Sequence, residues 1–182
     1  MSTDRVSRTA GSSGIPRASS AMSSFGRCKP IDEMLHEEAA LEAAAKAGDA
    51  EAAYYIGAYR YHQGELDEGI LRSHPEQSWG ATTSARSYQE AIDWWRPWAQ
   101  RGNPAAQWAY GTAFAEGRGV NQSPSSAIEW WYKAAITCHR AGDREEALTL
   151  FNSMRKLDPS NPLARWMSAE PAKPFTPKSR RS

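Results

Sequence analysis

The stretch GNPAAQWAYGTAFAEGRGVNQSPSSAIEWWYKAA, residues 102–135, decides the fold. Pro104 suits a first helical position, and the Ala-rich run after it contains no further proline before Pro124, which predicts a helix from Pro104 to Ala115. Ala106, Tyr110, Ala113 and Phe114 recur at spacings of three and four and form one apolar side. Gly111 lies inside that helix, where it costs about 1 kcal/mol relative to alanine, so close approach of a neighbouring helix is expected there. Gly117-Arg118-Gly119 supplies the positive backbone angles of a helix end and turn, after which Val120 plugs back into the core. Ser123 and Pro124 are a cap followed by a first helical position. A second helix therefore starts there, with Ala127, Trp130, Trp131, Ala134 and Ala135 as its buried stripe.

One helical pair cannot bury its own apolar face, so related units are expected on either side. Upstream, the ten residues from Gly48 to Gly57 match those from Gly102 to Gly111 at an offset of 54, whereas Ala91 to Trp95 match Ala127 to Trp131 at an offset of 36. The difference of 18 places an insertion between the two helices of the first unit. It replaces the short turn with a polar stretch, residues 64–86, holding Pro75, Gly80 and clustered Ser and Thr, and it reads as a surface loop of the kind that touches partners.

The run of Ala106, Gly111, Phe114, Gly117-Arg118-Gly119-Val120, Ala127, Trp130-Trp131 and Ala134-Ala135 resembles a Sel-one-like repeat, a relative of the tetratricopeptide repeat. The corresponding positions of the first unit are Gly57, Ala91, Trp94 and Trp95. The family usually has Asp where Ser123 stands and Tyr or Phe where Trp131 stands. Downstream, Gly142-Asp143-Arg144-Glu145-Glu146-Ala147-Leu148, Phe151 and Leu157-Asp158-Pro159-Ser160-Asn161-Pro162 resemble the second half of a tetratricopeptide unit, with Asp143 as cap and a further short helix from Leu163 to Met167. The resemblance implies an all-α protein, a short α/α solenoid of helical hairpins. It also implies aromatics at Trp95, Trp108 and Trp131 that pack between helices, and a concave side lined by the first helix of each pair.

The chain then divides into a Ser-rich basic tail (1–30), a Glu- and Ala-rich capping helix (31–47), a first repeat with the insertion (48–102), a second repeat (103–141), tetratricopeptide-like terminal helices (142–169) and a second basic tail (170–182). The tails are expected to be disordered, because they lack the apolar content that would offset ordering. Of an overall charge of +1, residues 1–30 carry +4 and residues 170–182 carry +3, which leaves −6 on the helical body. An acidic body weighs against nucleic acid on the solenoid and favours a neutral or basic polypeptide. No apolar run is long enough for a transmembrane helix, and there is no charged-then-apolar start of a secretory signal.

Candidate partner contacts on the concave side, outside the packing stripe, are Tyr55, Tyr59 and His62 in the first repeat and Gln107, Thr112 and Glu116 in the second. Trp98 joins them, because Pro97 is expected to kink its helix and lift the indole outward. The four histidines lack metal-helix spacing, and His62, Glu65, Asp67, Glu68 and His74 in the insertion read as a solvated acidic loop rather than a cation site. No nucleophile elbow, P-loop or dinucleotide fingerprint occurs. Some relatives are secreted with a disulfide in each repeat, a framework that Cys28 and Cys138 do not supply. The expectation is a non-catalytic adaptor or regulatory scaffold without cofactor or metal, binding a protein or peptide partner. It is expected in the cytoplasm, or in mitochondria if residues 1–30 are a transit peptide. A structural subunit of a larger complex, or an enzyme with its site in the inserted loop, are the rivals.

Overall fold

The computed structural model describes residues 31–76 and 79–165, and the two basic tails and the expected helix end at Met167 lie outside them. The described residues form seven helices: α1 (Ile31–Lys46), α2 (Ala50–Ser73), α3 (Trp79–Gln100), α4 (Pro104–Glu116), α5 (Pro124–Ala141), α6 (Arg144–Leu157) and α7 (Pro162–Arg165). No strand occurs among the described residues.

Three connections are built alike. Gly48, Gly102 and Gly142 adopt φ of 102°, 90° and 92°, a region closed to most other residues. The next amide, of Asp49, Asn103 or Asp143, then donates to the carbonyl five residues back: Ala44 at 3.0 Å, Trp98 at 3.0 Å and Cys138 at 2.9 Å. The same acidic or amide residue sits at the cap of the following helix. Asp49 Oδ1 accepts from the amides of Glu51 (2.8 Å) and Ala52 (3.2 Å), and Asn103 Oδ1 accepts from Ala106 (2.9 Å). Asp143 occupies the cap position of α6 but its side chain makes no capping bond. Ser123 caps α5 through Ser126 at 3.3 Å, and Asn161 caps α7 through Leu163 at 3.0 Å.

Residues 64–73 and 79–86 of the expected loop are instead helix. α2 continues to Ser73 and α3 begins at Trp79, so the insertion lengthens both arms of one hairpin, to 24 and 22 residues. The cause is a repeated close approach. A Cβ on Gly57 would stand 2.3 Å from Trp95 Nε1, and a Cβ on Gly64 would stand 2.6 Å from the Tyr88 ring. Gly64 lies seven residues after Gly57 and Tyr88 seven before Trp95, the antiparallel register of one continuous seam. Packing therefore overrides the weak helix propensity of the Ser and Thr residues at 82–84.

The second hairpin closes in the same way, since a Cβ on Gly111 would stand 2.7 Å from Trp131 Cδ1. In both hairpins the indole N–H donates to the carbonyl three residues before the glycine: Trp95 to Tyr54 at 3.2 Å, Trp131 to Trp108 at 3.1 Å. Ala91 and Ala127, at equivalent places before the tryptophans, are fully buried. Trp94 and Trp130, the preceding residues, are half-buried against the neighbouring cores.

Three core clusters run along the chain. Ala45, Ala52, Ala53, Ile56 and Tyr59 join α1 to α2. Tyr54, Tyr61, Tyr88, Ile92, Trp95, Ala106 and Tyr110 lie among α2, α3 and α4. Ile128, Trp131, Cys138, Leu150, Phe151 and Met154 hold α5 to α6, with Ala164 of α7. Alanines let the helices close together and the aromatics fill what remains. Each helix packs on its predecessor, and α2 also meets α4.

Candidate functional site

The residues expected to line one concave surface divide among three environments. Tyr59 is 3% exposed and belongs to the α1–α2 core, where its hydroxyl accepts from Gln63 Nε2 at 2.7 Å. It is not a surface contact, because α1 covers that side of α2. Burial raises its pKa above the ordinary phenol value. Tyr55 is half-buried, its ring edge-on to Tyr54 at 5.5 Å. Thr112 is half-buried and spends its hydroxyl on the Trp108 carbonyl at 3.0 Å. Trp98 is not lifted outward: α3 runs through Pro97, and the indole packs against two cores with the Arg101 guanidinium 5.0 Å from its ring. Gln107 is also not an exposed contact, at 5% exposure, because the end of α3 covers the first turns of α4.

His62 and Glu116 do come together, around a residue of the turn that follows α4. Arg118 reaches from the turn after α4 to the extended half of α2. Its guanidinium bonds Glu65 (2.8 Å), Glu68 (3.0 Å) and Glu116 (2.8 Å), and lies 5.7 and 5.4 Å from the rings of Tyr61 and Tyr88. The Tyr61 hydroxyl donates to Glu116 at 2.5 Å, and His62 Nδ1 is 3.3 Å from Glu65. Burial, then the Glu116 carboxylate, pushes the Tyr61 pKa far up, and burial does the same to Tyr88. Beside them, Gly119 admits no side chain, since a Cβ would stand 2.7 Å from the Tyr88 carbonyl and 2.9 Å from Ile92. Gly117, at φ 73°, turns the chain into this contact. The tip of the second hairpin is thus clamped to the flank of the first. Glu65 and Glu68 serve that clamp, and among the described residues no three His, Cys, Asp or Glu side chains converge as a metal site.

A second feature lies at the other end of that hairpin. A cleft of about 490 Å³ is lined by Gln107 of α4 and by Tyr132, Lys133, Ile136, Thr137, His139 and Arg140 of α5. Lys133, Ile136, Thr137 and Arg140 fall at helical spacing along one face. Gln107 donates from Nε2 to the Ala99 carbonyl at 3.1 Å, while its buried Oε1 has no hydrogen-bond partner. Tyr132 and Ile136 contribute apolar surface, and the charge on the lining is cationic without a carboxylate. The signal for it in the sequence is the spacing of Lys133, Thr137 and Arg140 after the Trp130-Trp131 pair, which a reading centred on the first helices passes over. No family model, no curated protein and no solved structure matches the chain.

Proposed function

We propose that the chain is a non-catalytic polypeptide-binding module, an adaptor or regulatory scaffold built as a short α/α solenoid of Sel-one-like and tetratricopeptide-like hairpins. The observation that carries this reading is the recurrence of one lock in two consecutive hairpins: Gly57 under Trp95 with the indole on Tyr54, and Gly111 under Trp131 with the indole on Trp108. A scaffold of stacked, backbone-locked hairpins holds its open faces rigid, which lowers the ordering cost of binding an extended partner. No described helix is long and apolar enough to cross a membrane. Fold alone does not specify function, so the reading needs its own test.

That test is capture from an extract of the native cell on the immobilised full chain, with free chain as competitor, followed by titration of the purified captured protein. A saturable, stoichiometric complex whose partner keeps its mass supports the module. Absence of any competable polypeptide, or a partner that leaves chemically altered, overturns it. A structural-subunit reading draws on Leu66 and Ile70, one turn apart on α2 and 50% and 38% exposed. It predicts self-association or a permanent complex in light scattering, where the adaptor reading predicts a monomer between binding events.

A further inference from the structure

We infer that residues 22–30, the segment leading into α1, dock on the exposed end of α2, with Phe25 between Leu66 and Ile70 and the cation of Arg27 or Lys29 at Asp67. The inference goes beyond the polypeptide-binding reading and does not depend on it.

The surface continues a seam that the fold already uses. Ala52, Ile56, Tyr59, Gln63, Leu66 and Ile70 follow one another along α2 in alternating steps of four and three, which is one stripe of a helix. Its first half packs against α1: Ala52, Ile56 and Tyr59 are 4%, 0% and 3% exposed and share a core with Ala45. Its second half is bare, since Leu66 and Ile70 are 50% and 38% exposed. The register shows where the cover stops. Arg60 on α2 is held by Glu38 and, at 3.3 Å, by Glu42 of α1. The two helices run antiparallel, and Ile31 and Asp67 each lie seven residues beyond the Glu38–Arg60 contact. α1 therefore begins level with Asp67, beside Leu66, while α2 runs on through Ile70 to Ser73.

The chain before Ile31 fits this surface by reach, composition and charge. Phe25 is six residues before Ile31, so it can stand up to about 20 Å away, whereas Ile70 is only about 5 Å along the axis beyond the start of α1. Gly26 allows the chain to fold back onto the helix. Phe25 is the only aromatic residue among residues 1–30, and its ring leaves water by lying against two aliphatic side chains. Asp67 stands seven residues after Arg60, on the same flank of the seam. Arg60 meets the carboxylates of α1; Asp67 reverses that sign, and so does the chain before α1, which carries Arg27 and Lys29 and has no acid between Asp4 and Asp32. A second copy of the chain fits less well. Two side chains fall far short of the ~800 Å² per partner that a standard interface buries. A segment tethered at Ile31 needs little area, because its effective concentration at the surface is high.

The experiment is limited tryptic digestion of the full chain timed by mass spectrometry, with cleavage after Arg17, outside the segment, as the internal standard for cleavage after Arg27. Phe25→Ala and the double variant Leu66→Gln, Ile70→Gln are each expected to speed cleavage after Arg27 about tenfold, the factor that corresponds to burying most of a Phe side chain, and to leave cleavage after Arg17 unchanged. Asp67→Lys is expected to give part of that gain at low salt. Leu148→Gln, at an equally exposed leucine on α6, is expected to give none. Far-UV circular dichroism is expected to stay the same throughout, because no variant removes a buried side chain. In methyl spectra the Leu66 and Ile70 resonances are expected to shift on Phe25→Ala while those of Leu148 stay. Cleavage after Arg27 that neither Phe25→Ala nor the double variant accelerates, or unmoved Leu66 and Ile70 methyls, overturns the inference. Protection that rises with chain concentration also overturns it, by showing that a second copy supplies the cover.

Discussion

Replacing Gly57 and Gly69 by alanine, one at a time, tests the packing account, because the two glycines share one helix and differ in what a methyl group would meet. At Gly69 nothing lies within 4 Å, so only helix propensity changes and the variant is expected to gain about 0.5–1 kcal/mol. At Gly57 the methyl would stand 2.3, 2.6 and 2.8 Å from three atoms of the Trp95 indole. The ring has to move, and its motion breaks the bond to the Tyr54 carbonyl at 3.2 Å. Overpacking costs about 1–3 kcal/mol and the lost buried bond about 1–3 more, against a propensity gain of about 1, for a net loss of about 1–5 kcal/mol. That is a large share of the stability of an ordinary domain, about 5–15 kcal/mol. Urea unfolding followed by far-UV circular dichroism and by tryptophan fluorescence reads both variants. Trp95→Phe in the Gly57→Ala background is expected to recover part of the loss, a coupling measurable as a double-mutant cycle. If Gly57→Ala proves as stable as Gly69→Ala, the Gly–Trp lock is not what closes the hairpin.

Arg118→Met is expected to destabilise by about 1–2 kcal/mol, less than a fully buried pair would lose, since the guanidinium is partly solvated; calorimetry at low salt checks it, and an unchanged Tm refutes the clamp. Tyr59, Tyr61 and Tyr88 have folded pKa values above the ordinary phenol value of 10.0, so they stay neutral in the fold while an unfolded chain ionises. Their contribution is complete below pH 10 and falls as pH rises, so the alkaline loss of helicity is expected to carry a step of tyrosinate absorbance that shrinks in the Tyr61→Phe, Tyr88→Phe variant; a step of unchanged size would sink this reading. Cys138 is fully buried and its thiol is pushed up to about 12 by burial and the nearby Asp143. In a Cys28→Ser background, thiol labelling of the native chain is expected to slow in proportion to added stability, and labelling as fast as in urea would contradict the burial.

Much of the second hairpin was legible in the sequence because its signals are local. Asn103, Pro104, Gly117, Ser123 and Pro124 each fix one end of a helix through backbone geometry, and Gly111 in a helix interior announces a close neighbour. The longer hairpin is not legible locally, because its Ser, Thr, Pro75 and Gly80 carry loop signals, while the pairing of Gly64 with Tyr88 appears only when two distant segments are aligned antiparallel. Helical face alone puts Tyr59 and Gln107 on an open surface. Whether a face is open depends on what covers it, α1 for the one and the end of α3 for the other. The cleft was hidden by averaging, since a body charge is a sum and says nothing of where the cations stand.

The seam of the first hairpin also acts as a ruler. Its contacts repeat at seven-residue steps, Gly57 to Gly64 on one arm and Tyr88 to Trp95 on the other. An arm can therefore change length only in company with its partner, and only in whole steps, without turning a glycine away from its aromatic. Excising residues 58–64 together with 88–94 keeps Gly57 opposite Trp95. Excising either block alone strands one arm against solvent. Hairpins of this construction come in gauges rather than in a continuum of lengths, and the 18-residue insertion gives each arm of the first hairpin more than the seven residues that one step needs.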